Sequence, residues 1–229
     1  MTFAVVIVAA GRGTRLGSEV PKQYIPLNGV CALRRSIDAF LANSNVSHVC
    51  AVIHPDDAEQ FRDAIAGLDD RRMLTPVLGA ANRADSVHRG LEALTRFLPN
   101  RVLIHDAARP FVDQVTIQAV CDALDTSDGA FAALPVVDAL WREKDGVAEA
   151  PHPRDGLWRA QTPQGFHFEK ILTAHREHDG QGADDVAVAR EAGLAVKLVL
   201  GSEQNFKITT VDDLARAIAD AERLDRPTD

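Results

Sequence analysis

The sequence contains few cysteines, and they are scattered. Cys31, Cys50 and Cys121 are the three thiols in 229 residues, and no two of them have the short spacing of a zinc site or a redox pair. An odd number of isolated cysteines also argues against a disulfide framework. We therefore expect reduced thiols packed in the interior.

The chain also has no excess of basic charge and no long apolar run. Its net charge of -8, from 25 Lys and Arg against 33 Asp and Glu, argues against an extended phosphate-backbone footprint, so we expect no nucleic-acid partner. The first apolar run, Phe3 to Ala10, is too short for a membrane span, and no basic segment of a signal peptide precedes it. We predict a cytoplasmic protein with no membrane partner.

What the chain does contain is a regular alternation of strand-like and helix-like segments. With 46% hydrophobic residues in 229, it is long enough for one sizeable core, and we predict a single domain over residues 1–229. The alternation predicts an α/β fold in which a mostly parallel sheet carries helices on both faces. Ligands of such sheets bind outside the carboxyl ends of the strands.

The alternation breaks at about residues 136–157. This segment, VVDALWREKDGVAEAPHPRDGL, has turn-forming residues, two prolines and no helical period, which predicts a hairpin that leaves the sheet. Trp141 and Trp158 flank it, and we expect both to pack in the core or at a subunit interface.

The first strand-like run ends in a glycine-rich turn. Residues 8–27 read VAAGRGTRLGSEVPKQYIPL, and such a turn can bind phosphate through its backbone N–H groups. A dinucleotide site would need a third glycine where Leu16 stands and an acidic residue about 20 residues further on. Asp56 and Asp57 come too late for that role, and no G-K-[ST] closes the turn as in a P-loop.

Two cations, Arg15 and Lys22, follow these glycines. Two cations on one loop suit a triphosphate better than a pyrophosphate. Lysine is scarce in this chain, with five in all, which favours a role for Lys22, directly after Pro21, as a compact point charge. The alternative is that both cations are solvated surface charges. The residues alone leave both interpretations open.

Five segments, in order along nearly the whole chain, carry a resemblance to a known family. They are AAGRGTRLGSEVPKQY, RADSV, HDAARPF, LWRAQTPQGF and NFKITTVDDL. Together they resemble the 2-C-methyl-D-erythritol 4-phosphate cytidylyltransferases of the non-mevalonate isoprenoid pathway, whereas the first segment alone indicates only the wider nucleotidyltransferase superfamily. The chain also resembles the cytidylyltransferase half of bifunctional enzymes that carry a cyclodiphosphate synthase downstream.

The resemblance implies a fold, a reaction and a set of partners. The fold is a Rossmann-like α/β sheet with an extended β-arm, here at about 136–157, that embraces a second subunit in a homodimer. The reaction transfers a cytidylyl group from CTP to 2-C-methyl-D-erythritol 4-phosphate and releases pyrophosphate. Mg²⁺ or another divalent cation assists it.

The resemblance also implies the site residues. The catalytic cations are Arg15, Lys22 and Lys207. The metal is held by Asp106, with Glu203 as a second acidic neighbour. The acceptor phosphate is bound at Arg109, Ala139 and Ala183, and at Arg154, which is delivered across the dimer interface. The CTP-binding residues are Ala9, Ala10, Gly11, Gly13, Gly79, Ala80, Arg83, Ser86, Asp106 and Ala107.

Three positions depart from the family pattern. Ala80 replaces a usual glycine, and its backbone contact to the base survives only if its φ is negative. Ala139 and Ala183 stand where the family has threonines of the acceptor pocket, and two lost hydrogen bonds of about 1 kcal/mol each would weaken acceptor binding roughly 30-fold. These alanines motivate an alternative acceptor, another polyol phosphate such as ribitol 5-phosphate.

Other interpretations stay open from the sequence. The chain could be a nicotinamide-dependent oxidoreductase or a non-catalytic paralogue that binds CTP. Asp106 could pair with Arg109, and Ser86 could be a helix N-cap. Among the histidines, we expect His105 to pack at a strand end, and His175 and His178 to be solvated on one face of a helix.

Overall fold

The computed structural model describes residues 2–13, 20–180 and 182–226, and the described part of the chain alternates strands and helices. The strands are β1 (Phe3–Ala9), β2 (Pro26–Leu27), β3 (Val30–Cys31), β4 (Val46–Ile53), β5 (Val77–Leu78), β6 (Arg101–Asp106), β7 (Gly129–Pro135), β8 (Leu140–Lys144), β9 (Val147–His152), β10 (Trp158–His167) and β11 (Val196–Leu200). The helices are α1 (Ala32–Leu41), α2 (Ala58–Ala64), α3 (Arg83–Leu94), α4 (Gln114–Ala123), α5 (Phe168–Glu177), α6 (Asp185–Glu191) and α7 (Val211–Leu224). Short 3₁₀ turns cover Lys22–Tyr24, Pro55–Asp57 and Thr95–Phe97.

Within the described residues, seven strands form the central sheet in the order β11-β7-β10-β6-β1-β4-β5. Neighbours pair in parallel, except that β10 runs antiparallel to both β6 and β7. This arrangement confirms the predicted mostly parallel sheet. It places the ends of β1, β4 and β6 side by side at one edge.

Alternation along β1 divides the core into two layers. Phe3, Val5 and Ile7 pack on one face of the sheet with α1 and α4, while Ala4 and Val6 pack on the other face with α3, α5 and α6. Successive side chains of a strand point to opposite faces, so an all-apolar β1 is the expected sequence for a strand buried on both sides. Helices on both faces are thereby confirmed.

The chain returns to the sheet edge after β11. The Asn205 side chain is fully buried and donates from Nδ2 to the Thr162 carbonyl at 2.7 Å, and the Ile208 amide donates to the Ala108 carbonyl at 2.9 Å. These bonds fix Lys207, which lies between Asn205 and Ile208 in sequence, at the carboxyl end of β6.

Strands β8 and β9 form the predicted hairpin, which pairs outside the main sheet. Asp145 and Gly146 both have positive φ, 51° and 79°, as a two-residue type I′ turn requires. Trp141 and Trp158 are 59% and 42% exposed, so the expectation of core packing is wrong for both. Their packing at a subunit interface stays a prediction.

The predicted interior packing of the cysteines is confirmed for two of the three. Cys50 and Cys121 are buried, Cys31 is half-buried, and all three are free thiols. No helix in the described residues combines the length and the apolar character needed to cross a bilayer.

Candidate active site

A cavity of about 460 Å³ opens at the carboxyl edge of the sheet, a size typical of small-molecule sites. The ends of β1 and β6, the start of α3, and the segments around Lys22 and Lys207 form its walls. Of the residues implied by the resemblance, those that line it are Ala9, Ala10, Gly11, Gly13, Lys22, Ala80, Arg83, Ser86, Asp106, Ala107 and Lys207.

The turn after β1 is held from behind by Gln23. This side chain is 2% exposed, and its Nε2 donates to the carbonyls of Ala9 at 2.6 Å and Gly11 at 3.2 Å. Gly13 has a φ of 62° and lies against the stem of Lys22, where an added Cβ would be 3.2 Å from Lys22 Cγ. Glycine therefore suits this position for both its conformation and its close contact. Arg15 lies outside the described residues.

An ion pair that the sequence analysis missed ties the turn to the end of β4. Arg12 Nη1 lies 2.8 Å from Oδ1 of Asp57, whose side chain is 1% exposed, and Arg12 Nη2 lies 3.4 Å from Asp56. Burial raises the pKa of Asp57, and Arg12 offsets this only in part. Asp57 follows the end of β4 by four residues, which is a usable signal for a site residue, but the glycine turn suggested it only as the acidic residue of a dinucleotide site.

Two lysines from distant parts of the chain meet in the cavity. Lys22 Nζ donates to the Ile208 carbonyl at 2.7 Å, which links the start of the chain to the segment before α7. Lys207 Nζ lies 2.7 Å from Oδ2 of Asp106. Both lysines line the cavity.

Asp106 is the carboxylate that these cations surround. Arg83 Nε lies 3.3 Å from its other oxygen, Oδ1. Burial by itself would raise the pKa of Asp106, but the charges of Arg83, Lys207 and Arg109 outweigh it and hold the pKa far below its usual value. Asp106 is therefore an anion at neutral pH. Its negative charge offsets the electrostatic repulsion between Arg83 and Lys207.

The alternative pairing of Asp106 with Arg109 is wrong, because the Arg109 guanidinium donates its hydrogen bonds to backbone carbonyls and not to the Asp106 carboxylate. Arg109 is 9% exposed, and its guanidinium donates to the carbonyls of Asn205 at 2.7 Å and Ala160 at 3.3 Å. Burial lowers the pKa of Arg109 despite the neighbouring Asp106. Arg109 lies behind the cavity rather than on its lining.

The segment before α3 forms another wall. Ser86 Oγ accepts from the Ala80 amide at 2.9 Å and donates to the Asn82 carbonyl at 2.7 Å. The N-cap of α3 is Asn82, which accepts from the Asp85 amide, so the N-cap interpretation of Ser86 is wrong. Ala80 is not among the residues with positive φ, which meets the condition set above for a backbone contact.

Gly79 lies beneath that wall. A Cβ built on Gly79 would be 2.4 Å from the Cβ of Ala10 and 3.1 Å from Ser86 Oγ, and its amide donates to the Ile53 carbonyl at 2.7 Å. Glycine is needed here because two segments of the cavity wall approach each other too closely for a side chain.

His105 packs at the end of β6, as expected. It is fully buried, with Nδ1 3.0 Å from Thr162 Oγ1 and Nε2 3.0 Å from the Arg109 carbonyl. Burial lowers its pKa to about 4. His105 therefore anchors the strand end and is not a base exposed to the cavity.

Four predicted site residues lie away from this cavity. Glu203 is exposed and pairs with Arg159, and the Arg154 guanidinium donates to the Val137 carbonyl. Ala139 and Ala183 are exposed as well. None of these four described residues lines the cavity of its own chain, so the structure does not bring Glu203 to Asp106 as a second carboxylate.

Among the described residues that line the cavity, Asp106 supplies the carboxylate. In residues 2–13, 20–180 and 182–226, no group of three or more His, Cys, Asp or Glu side chains is placed to hold an ion. Mg²⁺ is commonly held by one or two carboxylates together with substrate phosphates. Asp106 fits that pattern as the single protein carboxylate.

The expectation that His175 and His178 are solvated is wrong. Their side chains are 1% and 4% exposed. His175 Nε2 lies 3.2 Å from the buried Asp185, and His178 Nε2 lies 3.0 Å from Glu191. Both residues are covered because α5 packs against α6.

The comparison with known proteins identifies the family. The family model described as 2-C-methyl-D-erythritol 4-phosphate cytidylyltransferase matches residues 3–223. The chain belongs to the 2-C-methyl-D-erythritol 4-phosphate cytidylyltransferase family. Membership overturns the nicotinamide-dependent oxidoreductase as an interpretation of the glycine turn.

Members of this family resemble the chain in sequence and in structure. A 2-C-methyl-D-erythritol 4-phosphate cytidylyltransferase of Cereibacter sphaeroides is 49% identical over 217 residues, 95% of this chain and 96% of that protein. A bifunctional enzyme IspD/IspF of Paramagnetospirillum magneticum is 50% identical over 93% of this chain, which spans 55% of that protein. A crystal structure of the cytidylyltransferase from Thermus thermophilus has a TM-score of 0.77 and 31% identity, covering 97% of this chain and 100% of that one. The chain thus spans about half the length of the bifunctional relatives that it matches.

Proposed function

We propose that the protein transfers the cytidylyl group of CTP to 2-C-methyl-D-erythritol 4-phosphate and releases pyrophosphate. The observation that carries this proposal is the placement of Lys207 and Arg83 around Asp106, in a cavity that Lys22 and a glycine turn also line, in a chain of this family. The turn from Ala10 to Gly13 supplies backbone amides for a triphosphate.

The proposed reaction requires mainly that the two substrates be oriented and that negative charge at the α-phosphorus be stabilised. A phosphate oxygen of the acceptor attacks the α-phosphorus of CTP, the new P–O bond forms, and the bond to the β-phosphate bridging oxygen breaks as pyrophosphate leaves. Because the nucleophile is already an anion, no general base is needed, which agrees with the buried His105. Lys22 and Lys207, joined by Arg15 on the family pattern, would stabilise the charge that develops around the α-phosphorus.

Asp106 would hold a divalent cation in this reaction. Bound Mg²⁺ would offset negative charge on the triphosphate, as in other nucleotide-transferring sites. Both carboxylate oxygens of Asp106 face cations, Lys207 at 2.7 Å and Arg83 at 3.3 Å. Lys207 would therefore exchange its contact with Asp106 for one with a phosphate oxygen.

The acceptor half of the site is proposed to come partly from a second copy of the chain. Arg154 lies away from the cavity of its own chain and is carried by the exposed hairpin. The hairpin also exposes two large apolar side chains, Trp141 at 59% and Val147 at 67%, and an interface there would remove this apolar area from water. We propose a homodimer through this arm, with Arg154 reaching the partner's cavity. A cytoplasmic location stays a prediction of the sequence.

The acceptor itself is tested by a panel. The purified chain is incubated with CTP, MgCl₂ and one of several polyol phosphates, and pyrophosphate release is measured. We expect release with 2-C-methyl-D-erythritol 4-phosphate. Ala139 and Ala183, in place of the family's threonines, favour the alternative acceptor ribitol 5-phosphate. Release with the pentitol phosphate but not with the methylerythritol phosphate would replace the first acceptor by the second.

A further inference from the structure

A buried carboxylate lies behind the cavity, and the reaction as proposed does not use it. Asp185, the first residue of α6, is fully buried. Its Oδ2 lies 2.8 Å from Arg83 Nη2, and its Oδ1 lies 3.2 Å from His175 Nε2. Arg83 therefore has two anionic neighbours, Asp106 in the cavity and Asp185 behind it.

The backbone around Asp185 is fixed from the neighbouring sheet. Gln164 on β10 is 2% exposed. Its Oε1 accepts from the amides of Asp185 at 3.0 Å and Val186 at 3.2 Å, and its Nε2 donates to Asp184 at 3.0 Å. A carboxylate held on such a support has little freedom to follow Arg83 if Arg83 moves.

The charge of Asp185 is maintained by its neighbours. Burial alone would raise the pKa of this carboxyl, but Arg83 and then His175 outweigh it, and the pKa lies below its usual value. None of the described residues gives either oxygen of Asp185 a well-aligned hydrogen bond. The link between Asp185 and Arg83 is therefore chiefly electrostatic.

The two carboxylates have different tasks once a ligand binds. Arg83 lies 3.3 Å from Asp106. When a nucleotide and its cation bind Asp106, they weaken the electrostatic attraction between Asp106 and Arg83. Asp185 is closed off from the cavity and keeps its hold on Arg83. Without it, Arg83 would follow Asp106 alone and compete with the ligand for that carboxylate.

We propose that Asp185, oriented by His175, is a positioning residue that keeps the Arg83 guanidinium in the nucleotide site while Asp106 engages the ligand. This inference rests on the proposed function, because it takes CTP as the ligand of the cavity.

The test compares CTP binding and turnover in single and double variants of the full chain. Asp185→Asn should raise the Kd for CTP, measured by calorimetry with Mg²⁺, by roughly 10-fold, as is typical when a supporting partner of a ligating group is removed. In an Arg83→Gln background the same change should alter Kd by less than about twofold, because residues that act through one another are not additive. Asp125→Asn is the matched control, since Asp125 pairs with Arg101 at 2.6 Å at the opposite end of β6.

A second pair of variants keeps the test decisive if Asp185→Asn does not fold. His175→Gln retains a nitrogen donor near the place of Nε2, and His175→Leu removes it. We expect His175→Gln to bind CTP like the wild type and His175→Leu to bind it several-fold more weakly. A purely structural role would lower the melting temperature of these variants and leave the Kd of the folded protein unchanged, and that result would overturn the proposal.

The outcomes separate this inference from the proposed function. If the wild type binds CTP but does not use the methylerythritol phosphate, the proposed reaction fails and the Kd comparison still decides the role of Asp185. If Asp185→Asn has equal effects with and without Arg83, the positioning role is wrong while the reaction stands. If the wild type binds no CTP, both are wrong.

Discussion

The Nζ atom of Lys207 lies 2.7 Å from Oδ2 of Asp106, although 101 positions separate the two residues in sequence. Both residues line the cavity together with the glycine turn. When a nucleotide binds, Lys207 can exchange its contact with Asp106 for a contact with a phosphate oxygen. The Asp106 carboxylate can then bind a divalent cation. Both exchanges are needed in the proposed transfer.

Lys207→Met should therefore lower turnover far more than it lowers stability. Loss of one charge-stabilising contact in a water-poor site costs about 3–4 kcal/mol in the barrier, or roughly 10²- to 10³-fold in kcat. Steady-state pyrophosphate release measures the effect. The control is Lys197→Met, which removes an exposed lysine on β11 that contacts Thr126. A kcat for Lys207→Met within about threefold of the control would rule out its role at the reacting phosphate.

Gly79→Ala should disturb the cavity wall because its Cβ would lie 2.4 Å from that of Ala10. Overpacking of this kind typically costs about 1–3 kcal/mol of unfolding free energy. A second change, Ala10→Gly, removes the clashing atom and should restore most of the loss. Urea unfolding of the single and double variants measures this, with Gly11→Ala as a stability control, because an added Cβ there meets nothing within 4 Å.

Asp57→Asn should weaken CTP binding with little loss of stability. The change frees Arg12 from its 2.8 Å partner, and loss of one such anchor, about 1 kcal/mol, corresponds to roughly fivefold in Kd. Calorimetric titration with CTP measures this effect. Unchanged Kd would show that the Arg12–Asp57 pair does not organise the turn.

The stability of the same variant should depend on pH with a defined sign. Burial raises the pKa of Asp57 above its usual value, so the folded state holds this proton more tightly than the unfolded state. The wild type then loses stability relative to Asp57→Asn as pH rises through the raised pKa. Asp70 is the opposite case, because hydrogen bonds from Arg72 lower its pKa to about 2, and its contribution is present above the unfolded value and lost as pH falls. Urea unfolding is measured across about pH 4–7. Near pH 7, relative to the wild type, Asp57→Asn should have gained unfolding free energy and Asp70→Asn should have lost it.

The cysteines should be unreactive in the folded protein. Burial raises the pKa of Cys50 and of Cys121 to about 12, and burial also raises the pKa of Cys31. At about pH 8 almost no thiolate is present for attack. A thiol reagent should label all three cysteines of the chain after denaturation and react with the native protein only slowly. Rapid labelling of native Cys50 or Cys121 would contradict their burial in β4 and α4.

The sequence was sufficient for the strands and helices that follow strong local patterns. An unbroken apolar β1 predicts a doubly buried strand, and the carboxyl ends of parallel strands share one edge, so Gly11 and Asp106 were expected near each other. The position of β10 was not predictable, because pairing antiparallel to β6 and β7 is a long-range choice that no local period encodes.

Around the cavity, the sequence pattern pointed to single residues but not to the side chains that pair with them. His175 was misassigned although it follows the buried Ile171 by four residues, which places both on one helical stripe. Its partner Asp185 is on the next helix, and only tertiary packing brings them within 3.2 Å. Arg12 and Asp57 were missed because a charge pair between two loops has no spacing rule.

The most direct test of the central claim is the turnover of CTP and 2-C-methyl-D-erythritol 4-phosphate by the wild type and by Lys22→Ala, with Lys197→Ala as the control. Product is followed as pyrophosphate and as the cytidine diphosphate adduct by mass spectrometry. We expect stoichiometric formation of both by the wild type and the control, and a loss of roughly 10²-fold or more in Lys22→Ala. Wild-type protein that binds CTP but forms neither product with any polyol phosphate, or a fully active Lys22→Ala, would contradict the account, and the former would indicate a non-catalytic CTP-binding paralogue.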